Sequence, residues 1–357
     1  MITFAELPGV GINIALLISI GLGAGVMSGF AGVGGAFIVT PALIVLGFPA
    51  NLAVGTSMAW ITGNSIIGML RHRKIGNVDM KFGIIMIIAA MGGTEAGVRI
   101  FNSMNRSGNA DSVVLIIAVC LLTIVGSYTL IEAIRRKKHL DRILAEGGTL
   151  PPPMSTTAFS TKVQGINLPP IIHFKKSGVT ISVWIVVIIG FAIGMLAGIM
   201  GVGGGFIMVP SLVYVVGMPS FMAVGTPLFQ MIFSSSYGFI RHTMSGNVII
   251  MAAFIMLIAS SIGVQFGAIT TRYVRGVSVR YILGISIITF AIGSALKLCG
   301  VLIDGAGWAE TASQIITFGG LGLTVIMILS LLIVAIRYKR GNKIPSWMYS
   351  FVSKSPE

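Results

Sequence analysis

Ala31-Gly-Val-Gly-Gly-Ala-Phe-Ile-Val-Thr-Pro41 returns, with four changes, as Met200-Gly-Val-Gly-Gly-Gly-Phe-Ile-Met-Val-Pro210. The matches continue in order downstream. Gly47-Phe-Pro49 pairs with Gly217-Met-Pro219, Ala53-Val-Gly-Thr56 with Ala223-Val-Gly-Thr226, Arg71-His72 with Arg241-His242, and Gly76-Asn-Val78 with Gly246-Asn-Val248. The offset is 169, becoming 170 after a one-residue insertion. So many ordered matches make the chain a duplication, a common construction among membrane transporters.

The apolar stretches that follow the two glycine clusters, Gly35–Gly47 and Gly204–Gly217, are short. At about 1.5 Å per residue such a helix is about 20 Å long, less than the ~30 Å of a hydrocarbon core. Each therefore reads as a half-span whose glycine-rich junction lies at membrane depth. Backbone unwound at that depth survives only when buried in protein or lining a wet cavity. Glycine permits close approach and positive φ, and a following helix presents free N–H groups at its positive end. That is an anion-binding geometry without a cationic side chain. Two such tips from inverted copies would clasp one anion near the midplane. The competing reading of the same glycines is tight helix packing. No Gly-Lys-Ser/Thr follows either cluster, so a nucleotide P-loop is excluded.

The composition agrees with a membrane setting. Of 357 residues, 55% are hydrophobic and 10% charged, too few charges to cover a soluble surface of this size. Eleven apolar segments are legible: Ile12–Ala31, Gly35–Gly47, Leu52–Leu70, Phe82–Val98 and Val113–Ile134, then Val179–Ile199, Gly204–Gly217, Phe221–Ile240, Val248–Ile269, Tyr281–Gly300 and Ala312–Ile336. The first lacks a basic leader and reads as retained rather than as a signal peptide. The polar stretch Arg135–Gly178, with Pro151-Pro152-Pro153 and Pro169-Pro170, reads as a basic linker in which no ordered element is legible. The domain reading is thus 1–134 first membrane repeat, 135–178 cytoplasmic linker, 179–300 second repeat, and 301–357 an additional helix and basic tail. Cys120 and Cys299 lie in apolar segments and read as small buried hydrophobes. The fold class is an all-α polytopic membrane protein of two inverted-topology repeats, each with about five helical segments including a broken or hairpin half-helix, plus one extra C-terminal helix.

Five segments per copy is an odd number, so the second copy enters from the opposite side. With the N-terminus outside and the C-terminus cytoplasmic, twenty basic residues fall on inside loops and four, Arg99, Arg106, Arg241 and Lys297, outside. This bias is the positive-inside pattern, and it accounts for the net charge of +14 without nucleic acid. Asp304 and Glu310 fall outside.

Candidate solute-binding residues are the tip glycines Gly32, Gly34 and Gly35, and Gly201, Gly203, Gly204 and Gly205. The third segments add polar groups at Thr56, Ser57, Thr62, Asn64 and Ser65, and at Thr226, Gln230, Ser234, Ser235 and Ser236. Of these, Thr56, Ser57, Asn64, Thr226, Gln230 and Ser235 are the candidates chosen. Hydroxyl and amide donors suit a partly dehydrated oxyanion, although such groups also bond helix to helix. Arg71 and Arg241 end the third segments on opposite sides, either as snorkelling anchors or as entrance charges for anions. Glu95 reads as an interfacial partner of Arg99, one turn away; its repeat counterpart is Gln265. No metal or catalytic constellation is present, so neither an enzyme nor a cofactor is expected.

Gly-Val-Gly-Gly-[Ala/Gly]-Phe-Ile-x-x-Pro followed by Ala-Val-Gly-Thr, in two copies, resembles the TauE/SafE sulfite exporter family of the toluene-sulfonate uptake permease group. The resemblance covers roughly Gly21–Gly97 and Gly190–Gly267. It implies transport of sulfite, sulfonates or related organic anions across a prokaryotic plasma or inner membrane. Ala36 replaces the glycine at Gly205, which makes the two tips unequal, and the 135–178 loop is longer than expected of compact members. The expectation is a secondary transporter working by alternating access, its partners a small anion and the lipid bilayer, with proton coupling and oligomeric state open. The rivals are an anion channel of the same architecture and a non-transporting receptor or scaffold acting through the central loop.

Overall fold

The computed structural model describes residues 2–4, 7–108, 110–146, 158–166, 168–303, 307–340, 345, 348–349 and 351–352. Pro151, Pro152, Pro153, Asp304, Lys343 and Lys354 lie outside the described residues. A short hairpin, β1 (Ile2–Phe4) and β2 (Leu7–Ile12), precedes the first set of helices. These are α1 (Ile14–Ala31), α2 (Ala36–Val45), α3 (Ala50–Ile75), α4 (Met80–Arg106) and α5 (Ala110–Ala145). After α6 (Ala158–Gln164) and the hairpin β3 (Ile171–Phe174) and β4 (Val179–Ser182), the second set follows. It comprises α7 (Val183–Met200), α8 (Gly205–Pro210) with a π-helical turn (Ser211–Val216), α9 (Ser220–Met244), α10 (Ile250–Thr271) and α11 (Gly276–Leu302), with α12 (Gly307–Lys339) added at the end.

This is an all-α polytopic membrane protein. Seven of the described helices, α1, α4, α5, α7, α10, α11 and α12, are long and apolar enough to cross a bilayer. Their outward faces are apolar: Ile88 is 79% exposed and Ile124 67%. Such a surface is stable only against lipid. Cys120 and Cys299 are exposed on this outer face rather than buried. In a bilayer the outside is itself an apolar solvent, so a small hydrophobe need not turn inward.

The helices α3 and α9 are as long as the spanning helices but are not among the seven apolar enough to cross, and they pack against each other. Asn51 near the start of α3 donates to Asn247, just past the end of α9, at 3.0 Å. At the other end, the space beside Gly225 near the start of α9 is filled by Asn77, just past the end of α3. The two helices therefore run antiparallel. Around them the packing is reciprocal: α1 lies along α10, and α4 along α7. Glycine stripes make both contacts possible. Gly21, Gly25 and Gly29 abut the backbone of Met256, Ser260 and Val264, while Gly190, Gly194 and Gly198 abut Met86, Ala90 and Thr94. Backbones at this separation gain dispersion contacts that larger side chains would prevent.

The one-residue insertion has a visible place. Pro41 and Pro210 hold offset 169 and Gly47 and Gly217 hold 170. Between them the first copy remains α-helical through Val45, whereas the second widens into the π turn. A single extra residue inside a helix is accommodated in this way, and such turns recur at functional sites. The phenol of Tyr214 on that turn donates to Glu132 Oε2 of α5 at 2.7 Å, and Arg280 of α11 donates to both oxygens of the same carboxylate at 3.2 and 3.3 Å. The described residues of 135–178 carry secondary structure that their composition does not announce. They hold the continuation of α5, then α6, and β3 paired to β4; Gln164 of α6 donates to the Val216 carbonyl at 2.7 Å.

Candidate functional site

Both glycine clusters break the chain in the same way. Gly32 and Gly201 end α1 and α7 at φ 68°, and Gly35 and Gly204 precede α2 and α8 at φ 73°. These are left-handed conformations that favour glycine. The two breaks meet. Gly205 packs on the Val33 carbonyl, and the Phe37 and Phe206 rings lie 6.0 Å apart. Gly32 abuts Val224 of α9, and Gly201 abuts Val54 of α3. Thr40 of α2 donates to the Gly201 carbonyl at 3.2 Å. Among the described bonds, the amides of Val33, Gly34 and Gly35 have no acceptor, nor have those of Val202, Gly203 and Gly204. Two helix N-termini thus bring unpaired N–H groups to one locus.

Ile61 and Met231 stand between the tips. A Cβ at Gly34 would lie 3.0 Å from the Met231 sulfur and 3.8 Å from Ile61. At Gly203 it would lie 3.2 Å from Ile61 and 3.3 Å from Met231. Both glycines therefore face the same pair of side chains, which repeat each other at offset 170. The arrangement is closed, with an apolar plug at its centre.

Polar groups surround the plug. Asn64 donates from Nδ2 to the Gly34 carbonyl at 3.1 Å and to Ser28 Oγ at 2.7 Å, pinning the first tip to α3. Gln230 donates to Ser234 at 2.8 Å within α9. The hydroxyls of Ser57, Ser65 and Ser235 and the indole N–H of Trp60 are buried without a partner, as are Asn64 Oδ1 and Gln230 Oε1. Ser57 and Ser65 lie one turn either side of Ile61, and Ser235 one turn from Met231, so they share the faces that meet the tips. Trp60 sits against Gly35, whose Cβ would be 2.9 Å from the ring. Buried donors without acceptors are rare in folded proteins and costly, on the order of 1–3 kcal/mol each. Four such donors, with the buried oxygens of Asn64 and Gln230, lie beside the two helix N-termini.

Thr56 and Thr226 are placed differently. Their oxygens are occupied: Thr56 Oγ1 accepts from Ile249 N at 2.9 Å, capping α10, and Thr226 Oγ1 accepts from Asp79 N at 3.0 Å, at the start of α4. Thr62 and Ser236 bond back to the carbonyls of Met58 and Ile232 in their own helices. Arg241 donates to Glu95 at 2.8 and 3.3 Å; the same carboxylate takes Arg99 at 2.6 Å and the Tyr237 phenol at 3.0 Å. Arg71 is in no ion pair among the described residues, and its Nε is buried without an acceptor. Sequence reasoning did not single out Trp60, Ile61 or Met231. The repeat register holds a signal for them: at offset 170 Trp60 aligns with Gln230, Ile61 with Met231, and Ser65 with Ser235.

Comparison with known proteins converges on one family. The family model described as sulfite exporter TauE/SafE matches residues 17–296, which ends within α11 and leaves α12 outside the match. The chain is 25% identical to the probable membrane transporter protein YunE of Bacillus subtilis, over 77% of this chain and 95% of that protein. It is 23% identical to the probable membrane transporter protein YjnA of the same organism, over 71% of this chain and 88% of that one. It is 28% identical to the probable membrane transporter protein MJ0441 of Methanocaldococcus jannaschii, over 55% and 60%. No solved structure matches.

Proposed function

This chain belongs to the sulfite exporter TauE/SafE family, and we propose that it is a secondary carrier moving a small sulfur oxyanion by alternating access. It is a membrane transporter and not an enzyme. The observation that carries the substrate reading is the set of buried donors, Ser57, Trp60, Ser65 and Ser235, left without acceptors beside the two glycine tips. A pyramidal or tetrahedral oxyanion takes several hydrogen bonds at once, and helix N-termini stabilise its charge where no lysine or arginine is needed. Asn64 and Gln230 orient around it, and Thr56 and Thr226 hold α10 and α4 from behind.

The antiparallel α3–α9 pair and the reciprocal contacts of α1 with α10 and α4 with α7 support an inverted duplication. In such a carrier the copies rock about the central site, and opening toward either face requires Ile61 and Met231 to turn aside. Methionine is suited to that by its unbranched, adaptable side chain. The charge bias supports a cytoplasmic C-terminus.

The test is uptake of labelled sulfite into proteoliposomes with sulfate, methanesulfonate and chloride as competitors. Gly34→Leu and Gly203→Leu are expected to abolish uptake while the protein still purifies as a single species. Each adds bulk against Ile61 and Met231 and forces a side chain into positive φ. Uptake that survives both substitutions removes the tips from the mechanism.

A further inference from the structure

The two arginines that close α3 and α9 are repeat equivalents at opposite ends of an antiparallel pair, yet they are not electrically equivalent. Arg241 is clamped by Glu95, which also takes Arg99 and the Tyr237 phenol. At the other mouth every partner is missing from the register. At offset 170, Gln265 stands where Glu95 does, Ile269 where Arg99 does, and Ile67 where Tyr237 does. The supporting helices are the same, since α3 packs on α10 as α9 packs on α4. Arg71 is left half-buried, its Nε without an acceptor and no ion pair among the described residues. Arg73 and Lys74 in the last turn of α3 and Lys81 in the first turn of α4 add positive charge at this mouth, against the single carboxylate of Asp79, which caps α4 and accepts from Phe82 N.

We propose that Arg71 is the docking residue for the anionic solute at one mouth, and that Glu95 is the residue that makes the carrier sided by neutralising its counterpart at the other. The inference rests on the transport reading above. An anion approaching the Arg71 mouth meets an uncompensated guanidinium able to bind an oxyanion through two parallel N–H bonds. An anion at the Arg241 mouth meets a guanidinium already bonded to a carboxylate, with that carboxylate repelling it. The Arg71 face therefore saturates at a lower solute concentration than the Arg241 face. A passive carrier must have equal kcat/KM in both directions at zero membrane potential. The lower KM at the Arg71 face is therefore matched by a proportionally lower kcat there, and the device tunes saturation rather than equilibrium.

The experiment measures initial rates of labelled sulfite entry into right-side-out and inverted membrane vesicles, at zero membrane potential and low ionic strength. Wild type is expected to show a KM on the order of tenfold lower from the Arg71 face, the scale of one uncompensated charge at short range in a partly screened mouth. Glu95→Gln lowers the KM at the Arg241 face by a similar factor and leaves the Arg71 face unchanged. Gln265→Glu supplies the missing carboxylate to Arg71 and raises the KM at that face alone. The double exchange reverses the sidedness. Equal KM values at both faces in wild type, or sided values that neither substitution moves, overturn the inference and leave the carrier function standing. Absence of sulfite flux in wild type overturns the functional reading and this inference together.

Discussion

Replacing Thr56 by valine separates a structural hydroxyl from a solute ligand. Thr56 is fully buried, and its Oγ1 is the acceptor for Ile249 N at 2.9 Å. Ile249 is the N-cap of α10 and has no side chain able to cap. Valine has nearly the same shape, so packing is kept and only the acceptor is lost. The stranded amide then costs about 1–3 kcal/mol, and loss of a helix cap costs about 0.5–2 kcal/mol in other proteins; about 2 kcal/mol is expected here. Thr226→Val removes the acceptor from Asp79 N in the same way, while the Asp79 carboxylate still holds Phe82 N at 3.2 Å. The two caps lie at opposite ends of the α3–α9 pair, so the double variant should lose about the sum, ~4 kcal/mol. Thermal melting of the detergent-purified protein is read beside the sulfite KM in proteoliposomes. Melting should fall stepwise from wild type to single to double variants, with KM held within about twofold, less than ~0.5 kcal/mol. Unchanged melting with a KM raised tenfold would show that these hydroxyls touch the solute and that the capping role is secondary.

Two further outcomes are expected. Ser65→Ala and Ser235→Ala remove buried donors that have no partner in the closed protein, so each should leave melting unchanged or slightly raised while increasing the sulfite KM about tenfold, the loss of one bond to a charged group. Gly194→Leu should yield no monodisperse protein by size-exclusion chromatography, because its Cβ would strike the Ala90 backbone and force α7 off α4; Leu at the exposed position 188, where Ile faces outward, serves as the tolerated control.

The duplication, the half-length of α2 and α8, and the glycine breaks were legible in the chain because each depends on local pattern: a repeated string, a count of apolar residues, and a residue that can adopt positive φ. Ser57, Asn64, Gln230 and Ser235 were legible as polar residues in apolar surroundings, but their hydrogen bonds were not. No spacing rule states that Asn64 would pin Gly34 while Ser65 stays unpartnered, or that Thr56 would cap a helix nearly two hundred residues away. Cys120 and Cys299 turned outward because the surrounding solvent is apolar, which composition implies for the molecule but not for one side chain. Glu95 was readable as a partner of Arg99, one helical turn distant, whereas its bond to Arg241 exists only because α4 and α9 lie side by side. Local chemistry is encoded over a few residues. Which donor finds an acceptor, and which arginine is left without one, is settled by contacts between segments far apart in the chain, and those are fixed only when the helices pack.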